Sequence, residues 1–246
     1  MDGDRAYKAR TTLRAVRLLL KANNAPEGQI SIDQTMQVPV GSGFGASAAA
    51  AISAVYAVAS ATGIKGTKDE IAYHAHVAEI QEQTGLGTVS VSYNFAGAGA
   101  IVKPGAPGVS EFVRAKVPRG TKIVTASIGP YRKSDALSNR ATSSAINLLG
   151  DAALKEFLAL PTLDRLAEEG ERFSVALGLM TPEVVELAEL GKDSGASYAS
   201  QNMIGLAVHC LCPSGKERAV ARALRGSRLR PRVDTFGIGG KKAGVQ

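Results

Sequence analysis

Residues 39–49 (PVGSGFGASAA) place three closely spaced glycines and a serine before an alanine-rich segment that extends to about Thr62. The preceding residues 29–38 alternate apolar and polar side chains, with the two-residue period of a β-strand that buries one face. The predicted order is therefore a strand, a glycine loop and a helix. Because backbone amides at glycines and at a helix N-terminus attract anions, we expect this loop to bind phosphate.

Other classes of glycine loop fit this stretch less well. The P-loop of nucleotide hydrolases closes on Gly-Lys-Ser/Thr, and no lysine occurs between Lys21 and Lys65. The dinucleotide-binding fingerprint is matched in form by residues 41–46. That fingerprint requires a uniformly apolar strand before the loop and an acidic residue about 20 positions later at the end of a second strand, whereas Asp69 begins a predicted helix. A glycine turn that merely joins a strand to a helix is the remaining alternative.

The loop closely resembles the Pro-x-x-x-Gly-x-Gly-Ser-Ser-Ala-Ala motif of the GHMP small-molecule kinases. Three further segments are similar to motifs of the archaeal pantoate kinases within that superfamily: residues 76–79 (HVAE), residues 84–87 (TGLG) and residues 197–205 (SYASQNMIG). The four motifs occur in the family's order, and the resemblance covers about residues 11–236.

The resemblance implies an α+β fold with two lobes. We expect an ATP-binding lobe of the ribosomal-protein βαβ type at residues 1–108 and an α+β sandwich at residues 109–246, with the boundary at a Pro- and Gly-rich turn. Family members begin with strands that carry a Pro-Gly-His-type motif, but here a helix is predicted at residues 7–21. The first lobe is therefore expected to be truncated at its start, with an open edge beside residues 29–38 that favours a homodimer.

The resemblance also implies an activity, which is transfer of the γ-phosphoryl group of ATP to the 4-hydroxyl of pantoate in archaeal coenzyme A biosynthesis, with Mg²⁺ as the metal. A GHMP kinase for another small alcohol, such as homoserine or mevalonate, and a non-catalytic ligand-binding relative are the alternatives. The residues implied to hold ATP are Pro39, Gly41, Ser42, Gly43, Phe44, Gly45, Ala46, Ser47 and Ala48.

Ser47 and Glu79 are implied to be catalytic and to bind Mg²⁺, because hard oxygen ligands suit that ion. Their structural alternatives are a helix cap for Ser47 and a solvated helix position for Glu79. His76 is implied to bind the substrate, unless it is a buried histidine bonded to backbone. In the family an Asp that serves as the base follows residues 84–87, whereas this chain has Thr88, which cannot accept a proton at neutral pH but can hydrogen-bond the substrate.

In the second lobe, Arg132 and Ser134 belong to a loop that resembles one near the family's substrate, and an exposed basic turn is the alternative. Residues 197–205 are expected to begin a helix that faces the glycine loop. The hydrophobic pattern predicts a helix that starts at Thr67 or Asp69 and ends near Gln83. It also predicts a weakly alternating stretch at 89–102, strands at 122–128 and 206–212, helices at 138–149, 152–158 and 163–177, and a solvated basic helix within 216–232.

Composition narrows the range of partners. The chain carries 29 Lys and Arg residues against 22 Asp and Glu, a formal net charge of +7, but only 5% aromatic residues. The basic residues of the tail have no interleaved aromatic side chains, so nucleic acid is not an expected partner. The uncharged residues 40–64 are rich in Ala and Ser, which insert poorly into lipid, so no membrane span is expected. The start of the chain has no signal-peptide pattern, and a cytoplasmic location is predicted.

Overall fold

A computed structural model describes residues 9–26, 28, 30–85, 87–94, 96–130, 140–202 and 205–239, without the side chains of residues 94 and 140–143. No helix within these residues has the length and apolar character needed to span a membrane. The described elements are, in chain order, α1 (Arg10–Ala22), α2 (Ala46–Thr62), α3 (Lys68–Gln81), α4 (Thr88–Asn94), β1 (Gly99–Lys103), β2 (Glu111–Arg114), β3 (Lys122–Gly129), α5 (Arg140–Ala159), α6 (Leu163–Ala176), α7 (Pro182–Asp193), β4 (Tyr198–Gln201), β5 (Leu206–Cys212), α8 (Glu217–Arg225) and β6 (Arg232–Gly237).

The first hydrophobic core lies between α1, α2 and α3. Helix α1 is amphipathic and buries Leu19. The small side chains of α2 let this helix pack closely against its neighbours, with its own Ile52 and Val55 buried in the core. Helix α3 begins at Thr67, whose hydroxyl accepts from the amide of Glu70 while the Glu70 carboxylate accepts from the amide of Thr67. This reciprocal capping box confirms Thr67, rather than Asp69, as the start of the helix.

A second core lies against an antiparallel four-stranded sheet in the order β4-β5-β3-β6. Helices α7 and α8 cover one face of this sheet, where Val124, Leu187, Val208 and Leu224 are buried. Residues one position out of phase point to the opposite face, because side chains alternate along a strand. Strands β1 and β2 form a separate antiparallel pair.

The strand predicted at residues 29–38 does not form: residues 30–36 have no regular secondary structure. Part of its alternation survives, since Ile32, Gln34, Met36 and Val38 are half-buried and the residues between them are exposed, but Ile30, an apolar residue of the same face, is exposed. A strand needs a hydrogen-bonded partner strand, and none among the described residues pairs with this segment. Side chains hold it instead. Gln34 Nε2 donates to the carbonyl of Ala50 at 2.7 Å, and an Arg232 guanidinium donates to the carbonyl of Gln37 at 2.7 Å.

Three other expectations are wrong in detail. The helix predicted to begin in residues 197–205 is strand β4, because this segment pairs with β5 and buries Ala199 in the second core. The helices predicted at 138–149 and 152–158 are one helix, α5, since a single internal Gly150 costs only about 1 kcal/mol. The helix predicted within 216–232 is shorter than expected, since α8 ends at Arg225 and β6 begins at Arg232, but its basic face is exposed as expected while Val220 and Leu224 pack onto the sheet.

Two further elements were missed or misjudged. The stretch at 89–102 contains α4 before β1 begins, and its glycines had obscured the change from helix to strand. Helix α7, although it has a Thr181 cap and a proline in its first turn, was not predicted.

Candidate functional site

The glycine loop turns sharply at three residues with positive φ, namely Gly41 (80°), Gly43 (78°) and Gly45 (71°). This left-handed region is open to glycine and costly for most other residues. A Cβ on Gly41 would lie 2.9 Å from Cβ of Pro130, and a Cβ on Gly45 would lie 2.9 Å from Cγ2 of Thr88. The glycines therefore let the loop backbone approach the end of β3 on one side and Thr88 on the other.

Helix α2 starts directly after the loop, and its N-terminus has no side-chain cap. The N-cap residue is Gly45, and Ser47 is the second residue of the helix. Ser47 lines a small cavity of about 20 Å³ together with Val40 and the first turn of α1, where Thr11 and Thr12 are buried. Ser47 is therefore not the helix cap, and within the described residues no side chain caps the first amides of α2, as a phosphate site requires.

Ser42 is the one residue of the loop with no exposed surface, and side chains and backbone of the four-stranded sheet surround it. Its hydroxyl donates to the carbonyl of Gly129 at 3.1 Å and accepts from the Ser127 hydroxyl at 3.0 Å. Its carbonyl accepts from Nδ2 of Asn202 at 3.2 Å. A Cβ on Gly205 would overlap the Ser42 carbonyl group. The middle of the loop is thus fastened to the second core.

Glu79 lies on α3 with only 1% of its surface exposed, so it is not a solvated helix position. Its Oε2 accepts from the backbone amide of Val89 at 3.2 Å, and the Thr88 hydroxyl also donates to its carboxylate. Burial raises the pKa of Glu79, and these two hydrogen bonds only partly oppose that shift. No basic side chain contributes to its pKa within the described residues. The carboxylate therefore has no protein counter-ion there.

Thr88 connects this carboxylate to the glycine loop. Its hydroxyl donates a hydrogen bond to Glu79, and its methyl group lies 2.9 Å from the position that a Cβ on Gly45 would take. The turn before it is fixed to α1, because the hydroxyls of Thr84 and Thr11 are 3.1 Å apart and Arg14 Nε lies 3.1 Å from the Glu82 carboxylate.

His76 lies one helical turn before Glu79, on the same side of α3. It is 8% exposed, and its Nδ1 atom has no hydrogen-bond partner within the described parts of the chain. Burial lowers the pKa of His76, which favours the neutral ring. The alternative of a histidine satisfied by backbone does not hold at this nitrogen, so an atom able to bind a ligand is left over.

Sequence reasoning therefore identified residues that the structure places together, and it missed others. Thr88 lies against Gly45 through its methyl group and hydrogen-bonds Glu79 through its hydroxyl. Arg132 and Ser134 lie outside the described residues. Thr11 and Ser127 were missed because their contacts span 73 and 85 positions along the chain, and no local pattern indicates them. Asn202 lies in the motif at residues 197–205, but the sequence assigned it no role of its own.

The donor set fits Mg²⁺, because Ser47 and Glu79 both offer hard oxygen atoms and Glu79 is a buried carboxylate without a counter-ion. Across the described residues, no group of three or more His, Cys, Asp or Glu side chains is arranged to hold a metal. Mg²⁺ commonly takes one or two protein ligands and completes its shell with phosphates and water. These residues therefore suit a metal that arrives with a nucleotide.

Comparison with known proteins independently supports the resemblance to the GHMP kinases. Residues 10–94 match the family model described as GHMP kinases N terminal domain. The pantoate kinase of Thermococcus kodakarensis is 31% identical over 166 residues, which are 67% of this chain and 54% of that protein. The mevalonate kinase of Pyrococcus horikoshii is 26% identical over 230 residues, which are 86% of this chain and 67% of that protein. The chain thus spans about half the length of the pantoate kinase that it matches.

Solved structures agree on the fold. One structure, described as a phosphotransferase related to the CoA biosynthesis pathway, has a TM-score of 0.80 at 25% identity. The match covers 98% of this chain and 78% of that protein's chain. A mevalonate kinase has a TM-score of 0.70 at 16% identity, covering 98% and 79%. The predicted α+β fold is confirmed. These findings show that residues 10–94 match the N-terminal domain of the GHMP kinases and that the chain has the α+β fold of these kinases.

Proposed function

We propose that this chain is an ATP-dependent kinase that phosphorylates the 4-hydroxyl of pantoate in coenzyme A biosynthesis. The observation that carries the proposal is the buried Glu79 carboxylate, which has no counter-ion among the residues that the structure describes and is joined through Thr88 to the glycine loop. The choice of pantoate is supported by the pantoate kinase of T. kodakarensis and by the phosphotransferase related to coenzyme A biosynthesis, which are relatives of this chain.

The glycine loop would hold the phosphates of ATP. Phosphoryl transfer depends mainly on positioning and on neutralising charge, with little covalent chemistry for the protein to do. The uncapped N-terminus of α2 supplies amides and the positive end of a helix dipole, and Ser47 adds a hydroxyl in the first turn. These groups bind the phosphates and orient them toward the acceptor.

Ser47 and Glu79 are the residues that would hold Mg²⁺. Bound Mg²⁺ would neutralise the negative charge of the phosphates during transfer. In its absence, the buried Glu79 carboxylate carries an unfavourable desolvation energy, which a cation relieves. The hydrogen bonds from Val89 and Thr88 hold this carboxylate in one orientation.

The acceptor alcohol would lie against His76 and Thr88. The Thr88 proton is engaged by Glu79, so the free lone pairs of its oxygen are available to accept from the acceptor hydroxyl. His76 Nδ1 is an unpartnered polar atom on the same side of α3 and can bond the acceptor's carboxylate or another hydroxyl. Thr88 orients the hydroxyl and does not remove its proton, so positioning would account for the rate.

Mevalonate is the second candidate acceptor, because mevalonate kinases match 86% or more of this chain. The experiment that separates the candidates is ADP release from Mg·ATP with pantoate, mevalonate, homoserine or no acceptor. It is run on this chain and on a form extended upstream to any in-frame start. Turnover with pantoate alone supports the proposal, and turnover with mevalonate alone replaces it.

A matched pair of variants on α2 provides the control. Ser47→Ala should weaken Mg·ATP binding and turnover by about ten-fold or more, the equivalent of one charge-assisted hydrogen bond. Ser60→Ala, on an exposed position near the other end of the same helix, should leave both unchanged. Saturable nucleotide binding without turnover of any acceptor would instead favour the non-catalytic relative.

A further inference from the structure

Asn202 lies directly after β4, 9% exposed, between the four-stranded sheet and the glycine loop. The two polar atoms of its side-chain amide form hydrogen bonds in opposite directions. Nδ2 donates to the carbonyl of Ser42 at 3.2 Å, and Oδ1 lies 3.0 Å from Nδ1 of His209 on β5. Asn202 is therefore a link between a residue of the second core's sheet and the backbone of the loop.

The Ser42 carbonyl and His209 together fix which way this amide faces. The Ser42 carbonyl can only accept, so it requires Nδ2 of Asn202 on its side, and Oδ1 then faces His209. Burial lowers the pKa of His209, which favours the neutral ring, and the ring matches this orientation when Nδ1 carries the proton and donates to Oδ1. With the amide reversed, the Asn202 oxygen would face the Ser42 carbonyl oxygen, and no tautomer of His209 relieves that repulsion.

The anchored carbonyl has a direct consequence for the next residue. In a trans peptide the C=O and the following N–H point in opposite directions. Holding the Ser42 carbonyl toward Asn202 therefore aims the amide of Gly43 away from the sheet. Gly205 presses on the same peptide, since a Cβ there would overlap the Ser42 carbonyl, and the Ser42 hydroxyl is fixed by Gly129.

We propose that Asn202, oriented by His209, is a positioning residue for nucleotide binding that acts by fixing the Ser42–Gly43 peptide of the phosphate loop. This inference rests on the function proposed above, because it assumes that the loop binds a nucleotide. Asn202 itself need not touch the ligand. Its effect is transmitted through the backbone, so changes in the second core's sheet alter affinity for the phosphate groups.

The test uses substitutions that separate the two bonds of Asn202. Asn202→Asp keeps the size of the side chain and the acceptor for His209 but loses the donor to Ser42. His209→Asn keeps a donor near the position of Nδ1, whereas His209→Leu removes it without changing the charge of the neutral ring. Ser200→Ala is the control, because the buried Ser200 hydroxyl, opposite His209 on β4, has no partner among the described residues.

The readouts are the Kd for Mg·ADP by calorimetry and the melting temperature of each chain without ligand. We expect Kd to rise about ten-fold for Asn202→Asp and by about three-fold or more for His209→Leu, consistent with losing one or part of one hydrogen bond. His209→Asn should restore Kd to within about two-fold of wild type, as should Ser200→Ala.

A purely structural role would lower the melting temperature and leave Kd unchanged at temperatures where every variant is folded. That result, with wild-type chain binding Mg·ADP normally, overturns the inference and leaves the proposed function intact. Equal weakening by His209→Asn and His209→Leu also overturns it. Failure of the wild-type chain to bind Mg·ADP overturns the proposed function and this inference together.

Discussion

Ser42 and Glu79 are both polar, both almost fully buried and both close to the glycine loop, yet their surroundings differ. Every polar group described for the Ser42 side chain and carbonyl has a protein partner from the second core's sheet. Glu79 has two hydrogen-bond donors, but burial still raises its pKa, and no basic side chain in the described parts of the chain balances its charge. Buried charge without compensation reduces stability, so a protein retains it where a ligand needs it.

The site therefore has two regions. The Ser42 region is satisfied by the protein itself, and its role is to hold the loop in one conformation. The Glu79 region, which includes the unpartnered Nδ1 of His76, is incomplete without a ligand. Substitutions in the first region should therefore cost stability and, through the loop backbone, nucleotide affinity, whereas in the second they should cost activity without a loss of stability.

The largest effect is expected for Glu79→Gln. Phosphoryl transfer should fall by about 10³-fold, because the carboxylate that would hold Mg²⁺ against the phosphates is lost. The melting temperature should stay the same or rise, since the amide keeps the size of the side chain and removes a buried charge. Steady-state kinetics and thermal unfolding of the same preparation check both outcomes. A variant that is active within three-fold of wild type, or clearly less stable, would contradict the proposed difference between the two regions.

Gly205→Ala should have the next largest effect, and it should act on stability. The added Cβ overlaps the Ser42 carbonyl, so the backbone of one segment has to move, at a cost of about 3 kcal/mol. Gly28→Ala is the matched control, because a Cβ there meets nothing within 4 Å. Urea unfolding measures both free energies. Equal stability of the two variants would contradict the close contact at Ser42.

Thr88→Val tests the link between the two regions. Valine keeps the shape of threonine but loses the hydroxyl that donates to Glu79, so turnover should fall about ten-fold while stability changes by less than about 1 kcal/mol. Thr88→Ser, which retains the hydroxyl, should keep most of the activity. If valine and serine give the same rate, the hydroxyl has no part in the reaction.

The smallest effect concerns pH. The pKa of Glu79 is raised above its ordinary value of 4.5, so above that pH the folded chain binds more protons at this site than the unfolded chain. Stability contributed by Glu79 therefore falls as pH rises through the interval between the two pKa values. Measured in EDTA, the stability advantage of Glu79→Gln over wild type should be absent near pH 4 and should grow toward neutral pH. An advantage that does not vary with pH would indicate an unperturbed carboxyl group.

The sequence predicted those parts of this site that depend on short-range pattern. The glycine loop, helix α2 and the Thr67 cap of α3 each follow from residues within a few positions of one another. The segment at residues 29–38 shows the limit of such patterns, because its alternation indicated most of the half-buried side chains, though not the exposed Ile30, and could not supply a partner strand. Such a pattern indicates which side chains pack against the protein, but it does not indicate which backbone hydrogen bonds form.

The support for the loop could not be predicted, for a related reason. Asn202 and Ser42 are 160 positions apart, and only the β4–β5 pairing brings them together. Residues 197–205 were expected to face the glycine loop, and they do, but as the end of a strand. The domain boundary near residue 108 remains a prediction, and β1 and β2, on either side of it, pair with each other.

The central claim is that the Glu79 region is completed by a metal and a nucleotide. Calorimetric titration of ATP into the wild-type chain and into Glu79→Gln, each with Mg²⁺ and with EDTA, tests it most directly. The account predicts saturable binding to one site per wild-type chain that weakens strongly in EDTA, and a variant whose weaker binding no longer depends on Mg²⁺. Binding by the wild-type chain that is equally tight in EDTA, or a variant that behaves as wild type under both conditions, would contradict it.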